Sequence, residues 1–160
     1  MADSLADGRT RVVFAPSVAN IAGPTVAELT AGIVLHWVMT PDGLVGYEAS
    51  TADVDTSALA STFDTATIGR DSFSGTMLRL KKQTTADTVF TTLVRGTEGF
   101  VAVRRDMDAD TAWAAGQDVE VYPVICGQRR NLPPESNSVR KYEVPTKIHE
   151  DPELNATVAA

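Results

Sequence analysis

The stretch Ala112–Arg130, AWAAGQDVEVYPVICGQRR, constrains the fold more than any other part of the chain. Gly116 stops any helix begun by the alanines, and from Gln117 to Gly127 β-branched and aromatic residues follow one another almost without a gap. A strand is the reading. Val119, Val121 and Ile125 fall on one face and Glu120, Tyr122, Val124 and Cys126 on the other, so one face is apolar and the second mixed. That pattern predicts a sheet covered on both sides, by core on one and by something more polar on the other. Pro123 lacks an N–H, which predicts an edge or a bulge there. A long edge strand needs a cover, and a second copy of the chain could supply it.

Around this strand the other elements are shorter. Arg11–Val18 reads as a strand with an edge signal at Pro16, and Thr25–Glu28 has the capping-box pattern of a brief helix closed by Gly32. Ile33–Met39 alternates and predicts a strand buried on both faces, followed by a turn at Pro41-Asp42-Gly43. Thr65–Ile68 and Phe73–Lys82 read as strands broken by Gly69-Arg70-Asp71. Thr84–Asp87 then opens a helix whose stripe of Val89, Phe90, Leu93 and Val94 stops at Gly96. Phe100–Arg104 and Val139–Ile148, the latter interrupted at Pro145, complete about seven strands with two short helices. The expectation is a mainly β fold, an antiparallel sandwich or barrel with a packed α-helix, in one domain over residues 11–148. Residues 1–10 read as a flexible arm and residues 149–160 as a tail of small and polar residues.

Residues 42–64 depart from this pattern. Ser, Thr, Ala and Asp dominate, and no Lys or Arg occurs between Arg11 and Arg70, whereas Glu28, Asp42, Glu48, Asp53, Asp55 and Asp64 all lie there. This predicts a long loop or extended hairpin, either solvated or an ordered arm that reaches a neighbour. Leu44, Tyr47, Leu59 and Phe63 are spaced apolar residues that a solvated loop does not need, and with Asp53 and Asp55 they are the candidate contacts. Arg70, Arg79, Lys81, Arg104 and Arg105 are the candidate cations on the neighbouring subunit.

Chemistry is harder to place. The net charge of -7 and pI near 4.7 argue against a surface that holds nucleic acid by neutralising phosphates. The single cysteine, Cys126, reads as a buried thiol. Asp106, Asp108 and Asp110 have the spacing that opens a calcium loop, but Thr111 stands at its glycine position and Gln117 at its terminal glutamate, so turn or capping roles fit them better. His36 and His149 share no ligand spacing, and no nucleophile elbow, P-loop or dinucleotide motif occurs. Neither catalysis nor a cofactor or metal is expected. The start has no apolar signal region and no run is long enough to span a bilayer, so the chain reads as made and folded in the cytosol, with no membrane partner.

The order of elements carries a resemblance. An opening strand, PTVAELTAG, a strand ending in PDG, a long acidic loop, a hairpin, a helix, a strand, AWAAGQDVEVYPV and a closing PELNATVAA follow in turn. In that order the chain resembles the major tail tube proteins of long-tailed, non-contractile bacteriophages, especially the compact forms in phages of actinobacteria. The resemblance implies a β-sandwich or barrel with a flanking helix, six copies to a ring, and rings stacked into a tube that passes DNA without binding it specifically. The tube protein of type VI secretion looks like a fold relative. The resemblance further implies tape measure and tail-end proteins as partners, a place in the virion after assembly in the host cytoplasm, and a stacking role for residues 42–64 between rings. With no immunoglobulin-like domain after the tube domain, a smooth tube is expected. The competing expectation is a soluble β-sandwich module that binds a small ligand or a cell-surface glycan. Exposed aromatics would mark such a site, yet aromatic content is 6% and most of it lies in expected strands.

Overall fold

A computed structural model describes residues 1–160. Its hub is β8, Asp118–Cys126, within the expected strand. One edge of β8 pairs with β7, Glu98–Arg104, and the other edge is shared. Val124–Cys126 pair with the end of β10, Lys141–Ile148, while Asp118–Val121 pair with β11, Glu153–Thr157. Pro123 therefore sits in a central strand, not at an edge. It lies where the partner changes from β10 to β11, and its carbonyl accepts from the His149 N–H at 3.3 Å. A residue's N–H and C=O point to the same side of a strand, so the missing donor faces this gap and no ladder bond is lost.

From β8 the sheet extends through β7 to β1, Arg11–Ala15, and the two-residue β2, Ile33–Val34. In the other direction it runs through β10 to β6, Met77–Lys81, and β3, Met39–Val45, with β9, Arg130–Asn131, also on β10. All these pairs are antiparallel. β10 changes partner at Pro145 and Thr146, giving residues 141–145 to β6 and residues 146–148 to β8. The sheet thereby curls over itself. Phe14, Val101, Tyr122 and Val124 of one half meet Leu78, Leu80, Tyr142 and Val144 of the other, and Val89 of α2, Thr88–Thr92, with the C-cap residue Leu93 closes the same core.

The opposite face of β8 is also apolar. Val13, Ala102, Val119 and Val121 pack with Trp113, with Leu29 of α1, Val26–Thr30, and with Ala156 and Val158. The more polar cover expected on the mixed face of Glu120, Tyr122, Val124 and Cys126 is instead the larger of the two cores, with Glu120 its polar exception, paired with Arg105 at 3.2 Å. α1 keeps its capping box: Glu28 N–H donates to Thr25 Oγ1 at 3.2 Å and Thr25 N–H to Glu28 Oε2 at 2.9 Å. The backbone N–H groups of Thr25 and Ala19 hold the Glu28 carboxyl below its ordinary range.

Several expectations are corrected. Residues 149–160 do not form a loose tail. β11 completes the sheet, Ala156 and Val158 are buried, and Ala159 bridges to Thr25. Ile33–Met39 is not one strand, because β2 ends at Val34 and a turn follows in which Val38 and Met39 N–H both bond Leu35 O. His36 Nδ1 lies beside Val12 at the end of this short ladder, and Trp37 swings out to 63% exposure. Pro41-Asp42-Gly43 is not a turn either. It is an excursion inside β3, between the pairs Met39↔Leu80 and Leu44↔Leu78, and the Arg79 carbonyl leaves no room for a Cβ at Gly43.

Candidate assembly surface

Between β3 and β6 the chain leaves the body as a hairpin of β4, Ser50–Asp55, and β5, Ala66–Ser72, which pair only with each other. Glycine explains why β5 is continuous where the sequence suggested a break. Between the pairs Thr51↔Asp71 and Asp53↔Ile68, Gly69 and Arg70 together oppose Ala52 alone, which is a bulge. A Cβ on Gly69 would meet Ala52 O at 2.7 Å, so this register requires glycine. Phe73, expected to open the next strand, instead lies in the connector to β6 with its ring 5.7 Å from that of Tyr122.

The tip, residues 56–65, is held by its own polar groups. Thr56 N–H donates to Thr65 O at 2.9 Å, Thr65 N–H to Ser57 Oγ at 3.0 Å, and Ser61 both accepts from Phe63 N–H and donates to Phe63 O. Hydrogen bonds from Ser57 keep the Asp55 carboxyl below its ordinary range. This local order exposes apolar side chains instead of burying them. Leu59 is fully exposed, Phe63 is 75% and Ile68 80% exposed, and every residue of β4 is exposed. Cross-strand pairing puts Asp53 with Ile68 and Asp55 with Ala66 on one face, and Val54 with Thr67 on the other. Ile68 is exposed although Thr65–Ile68 resembles a core strand; its signal is the polar and small residues on both sides.

The sequence-expected site residues divide. Asp53, Asp55, Leu59 and Phe63 lie on the hairpin and its tip, exposed together. Leu44 belongs to β3 and packs against the core, and Tyr47 is only 4% exposed, with its hydroxyl 2.5 Å from Thr146 Oγ1. Burial raises the Tyr47 pKa above the usual phenol range. Tyr47 cannot reach a neighbour from that position, and Leu44 is half-buried against the core; both carry the apolar signal of core positions, which sequence spacing cannot tell from a docking face.

The cations divide in the same way. Arg104 is 1% exposed, so it is not an inter-subunit cation. It stacks 5.0 Å from the Trp113 ring and donates to Gln117 Oε1 and to the carbonyls of Asp108 and Thr111, which shape the loop carrying Asp106 and Asp110. Burial lowers its pKa, and nearby Arg11 acts in the same direction. Arg105 is occupied by Glu120. Arg79 pairs with Asp42 and with Glu143 at 3.0 Å, and Glu143 also takes Arg130, so four strands are joined by one row of charges. The Thr40 hydroxyl, then Arg79, hold Asp42 below the usual carboxylate range. Arg70 is exposed at the hairpin base, and Lys81 on β6 forms no ion pair.

No group of acid, histidine or cysteine side chains is placed to hold a metal, and no helix is long and apolar enough to cross a membrane. A family model described as phage tail tube protein matches residues 1–160. No curated protein matches the sequence. Among solved structures, a chain of the anti-feeding prophage baseplate, from a sixfold-symmetrised cryo-EM reconstruction, superposes with a TM-score of 0.62 over 98% of each chain. At 8% identity this likeness is one of fold.

Proposed function

The chain belongs to the phage tail tube protein family, a structural component of the virion, and from that premise we propose that six copies close into a ring and that rings stack through the β4–β5 hairpin into the tail tube. The observation that carries the stacking role is the hairpin itself. It is ordered by its own bonds, contributes nothing to either core, and exposes Leu59, Phe63, Val54 and Ile68. A two-stranded hairpin is marginal in water alone, and exposed apolar side chains on it gain most when a partner covers them. The sixfold symmetry of the baseplate whose chain shares this fold supports the ring number.

The tube is the conduit for genome delivery, and DNA passes through it without specific binding. The net charge of -7 supports a wall that repels phosphates. Tape measure and tail-end proteins are its further partners in the tail, and assembly takes place in the host cytoplasm. Residues 1–10 belong to the same reading. They lie along the 105–111 loop through Ser4 to Asp106 at 2.8 Å and Gly8 O to Ala109 N–H at 2.9 Å, and they repack on a neighbour in the tube.

Negative-stain microscopy of the purified chain at rising concentration tests this reading. Tubes of uniform width with sixfold end views are expected, and a variant with residues 50–72 replaced by a two-glycine linker should stop at rings or monomers. Tubes of normal length from that variant would remove the stacking role from the hairpin.

A further inference from the structure

On the outer face of the curled sheet, away from the core, β6 presents Met77, Arg79 and Lys81 and β10 presents Lys141, Glu143 and Pro145. In the ladder these residues oppose one another as Met77↔Pro145, Arg79↔Glu143 and Lys81↔Lys141. The first pair is apolar and the second is a salt bridge. The third sets two lysines directly opposite, and like charges at such a position disfavour the pairing unless anions are at hand. The chain's own anions are committed elsewhere: Glu143 to Arg79 and Arg130, Asp42 to Arg79, and Asp87 to Lys82 at 3.1 Å. Lys141 reaches only the exposed Glu135, at 3.5 Å; both lysines are half-buried, and the exposed Arg140 beside Lys141 adds a third cation.

Resting on the reading that the hairpin joins copies, we propose that the Lys81–Lys141 pair is the docking surface for the Asp53–Asp55 face of a second copy's hairpin. Three features match. Asp53 and Asp55 are alternate residues of β4, about 6.6 Å apart along the strand, and Lys81 and Lys141 are cross-strand neighbours about 5 Å apart, so each carboxylate has one lysine within reach. The acids share their face with Ile68 and Ala66, and the cations share theirs with Met77 and Pro145, so each surface has charge and apolar area side by side. The hairpin, from Glu48 to Phe73, carries Glu48, Asp53, Asp55, Asp64 and Asp71 against Arg70 alone. Docking relieves the repulsion within the lysine pair and fixes the register of one copy on the next.

Charge swapping tests it. K81E/K141E and D53K/D55K should each lower the yield of tubes at low salt by about tenfold or more, and the quadruple variant should recover to within about threefold of the natural chain. Should K81E/K141E lose its β circular-dichroism signal, K81Q/K141Q replaces it, with a folded monomer and weaker assembly expected. Natural yield and salt dependence in K81Q/K141Q, or a quadruple variant no better than either double, overturns the proposal. So does a K81Q/K141Q variant that builds tubes normally but no longer retains a short labelled DNA duplex held by natural tubes, since the cations then face the lumen. The two-glycine hairpin replacement separates the levels. If it builds tubes, the stacking reading itself fails; if it does not, while the charge variants assemble normally, only the docking surface is wrong.

Discussion

β8 and β4 are both strands of polar and β-branched residues, and the molecule treats them in opposite ways. β8 has paired edges and core on both faces, whereas β4 pairs along one edge and buries nothing. Apolar burial, worth roughly 25 cal/mol per Å², holds the first in place, while the second relies on hydrogen bonds that water can largely replace. One chain thus contains a body held by two apolar cores and an arm held by its own hydrogen bonds. Under the proposed function, in which the subunit folds first and assembles afterwards, this division keeps the assembly surface out of the folding core.

The largest effect expected from breaking the contrast is the complete loss of tubes when residues 50–72 are replaced by two glycines. Ser50 and Ser72 are paired, so a short linker spans the gap, and Tyr47 and Phe73 stay in the body. Thermal unfolding of that monomer should stay within a few degrees of the natural chain. In the body, L80A should cost about 2–5 kcal/mol in denaturant unfolding, because Leu80 is fully buried between the sheet halves. L59A and F63A on the arm should change monomer stability by less than about 0.5 kcal/mol yet raise the concentration needed for tubes, measured by light scattering. A core-like loss from either would mean that the tip packs on the body in solution.

Smaller effects sharpen the comparison. T25A removes the α1 cap and should cost the body about 1 kcal/mol. Glu28, held below its ordinary pKa, stabilises the fold above the unfolded carboxylate range, and this contribution is lost as pH falls through the folded value. In acid titrations followed by circular dichroism, E28Q should therefore differ from the natural chain at neutral pH and converge with it in acid. A difference that persists in acid would show that the loss is one of packing.

Local chemistry made much of the body legible. The β8 run, the Thr25–Glu28 box, the α2 stripe and the Phe100–Arg104 strand depend on side-chain periodicity and capping, which neighbours in sequence decide. The hairpin was legible as a segment, from its acids and small residues, but its contact residues were legible only in part. Leu44 and Tyr47 are spaced apolar residues of the same kind as Leu59 and Phe63, and hydrophobicity is blind to which side of the chain the body lies on. Gly69 signals a break as readily as a bulge, because both use its lack of a Cβ.

By itself the sequence determined that this is a β protein with a capped helix and a polar arm between two sheet strands, since these follow from residue types and short spacings. Only the tertiary structure decided that Pro123 is central, that residues 153–157 are a sheet strand, that Arg104 is buried, and that Lys81 opposes Lys141. Each of these is a pairing between residues far apart in the chain. The free energy of such a pairing depends on the partner's edge, face and register, and that information is present in no single segment.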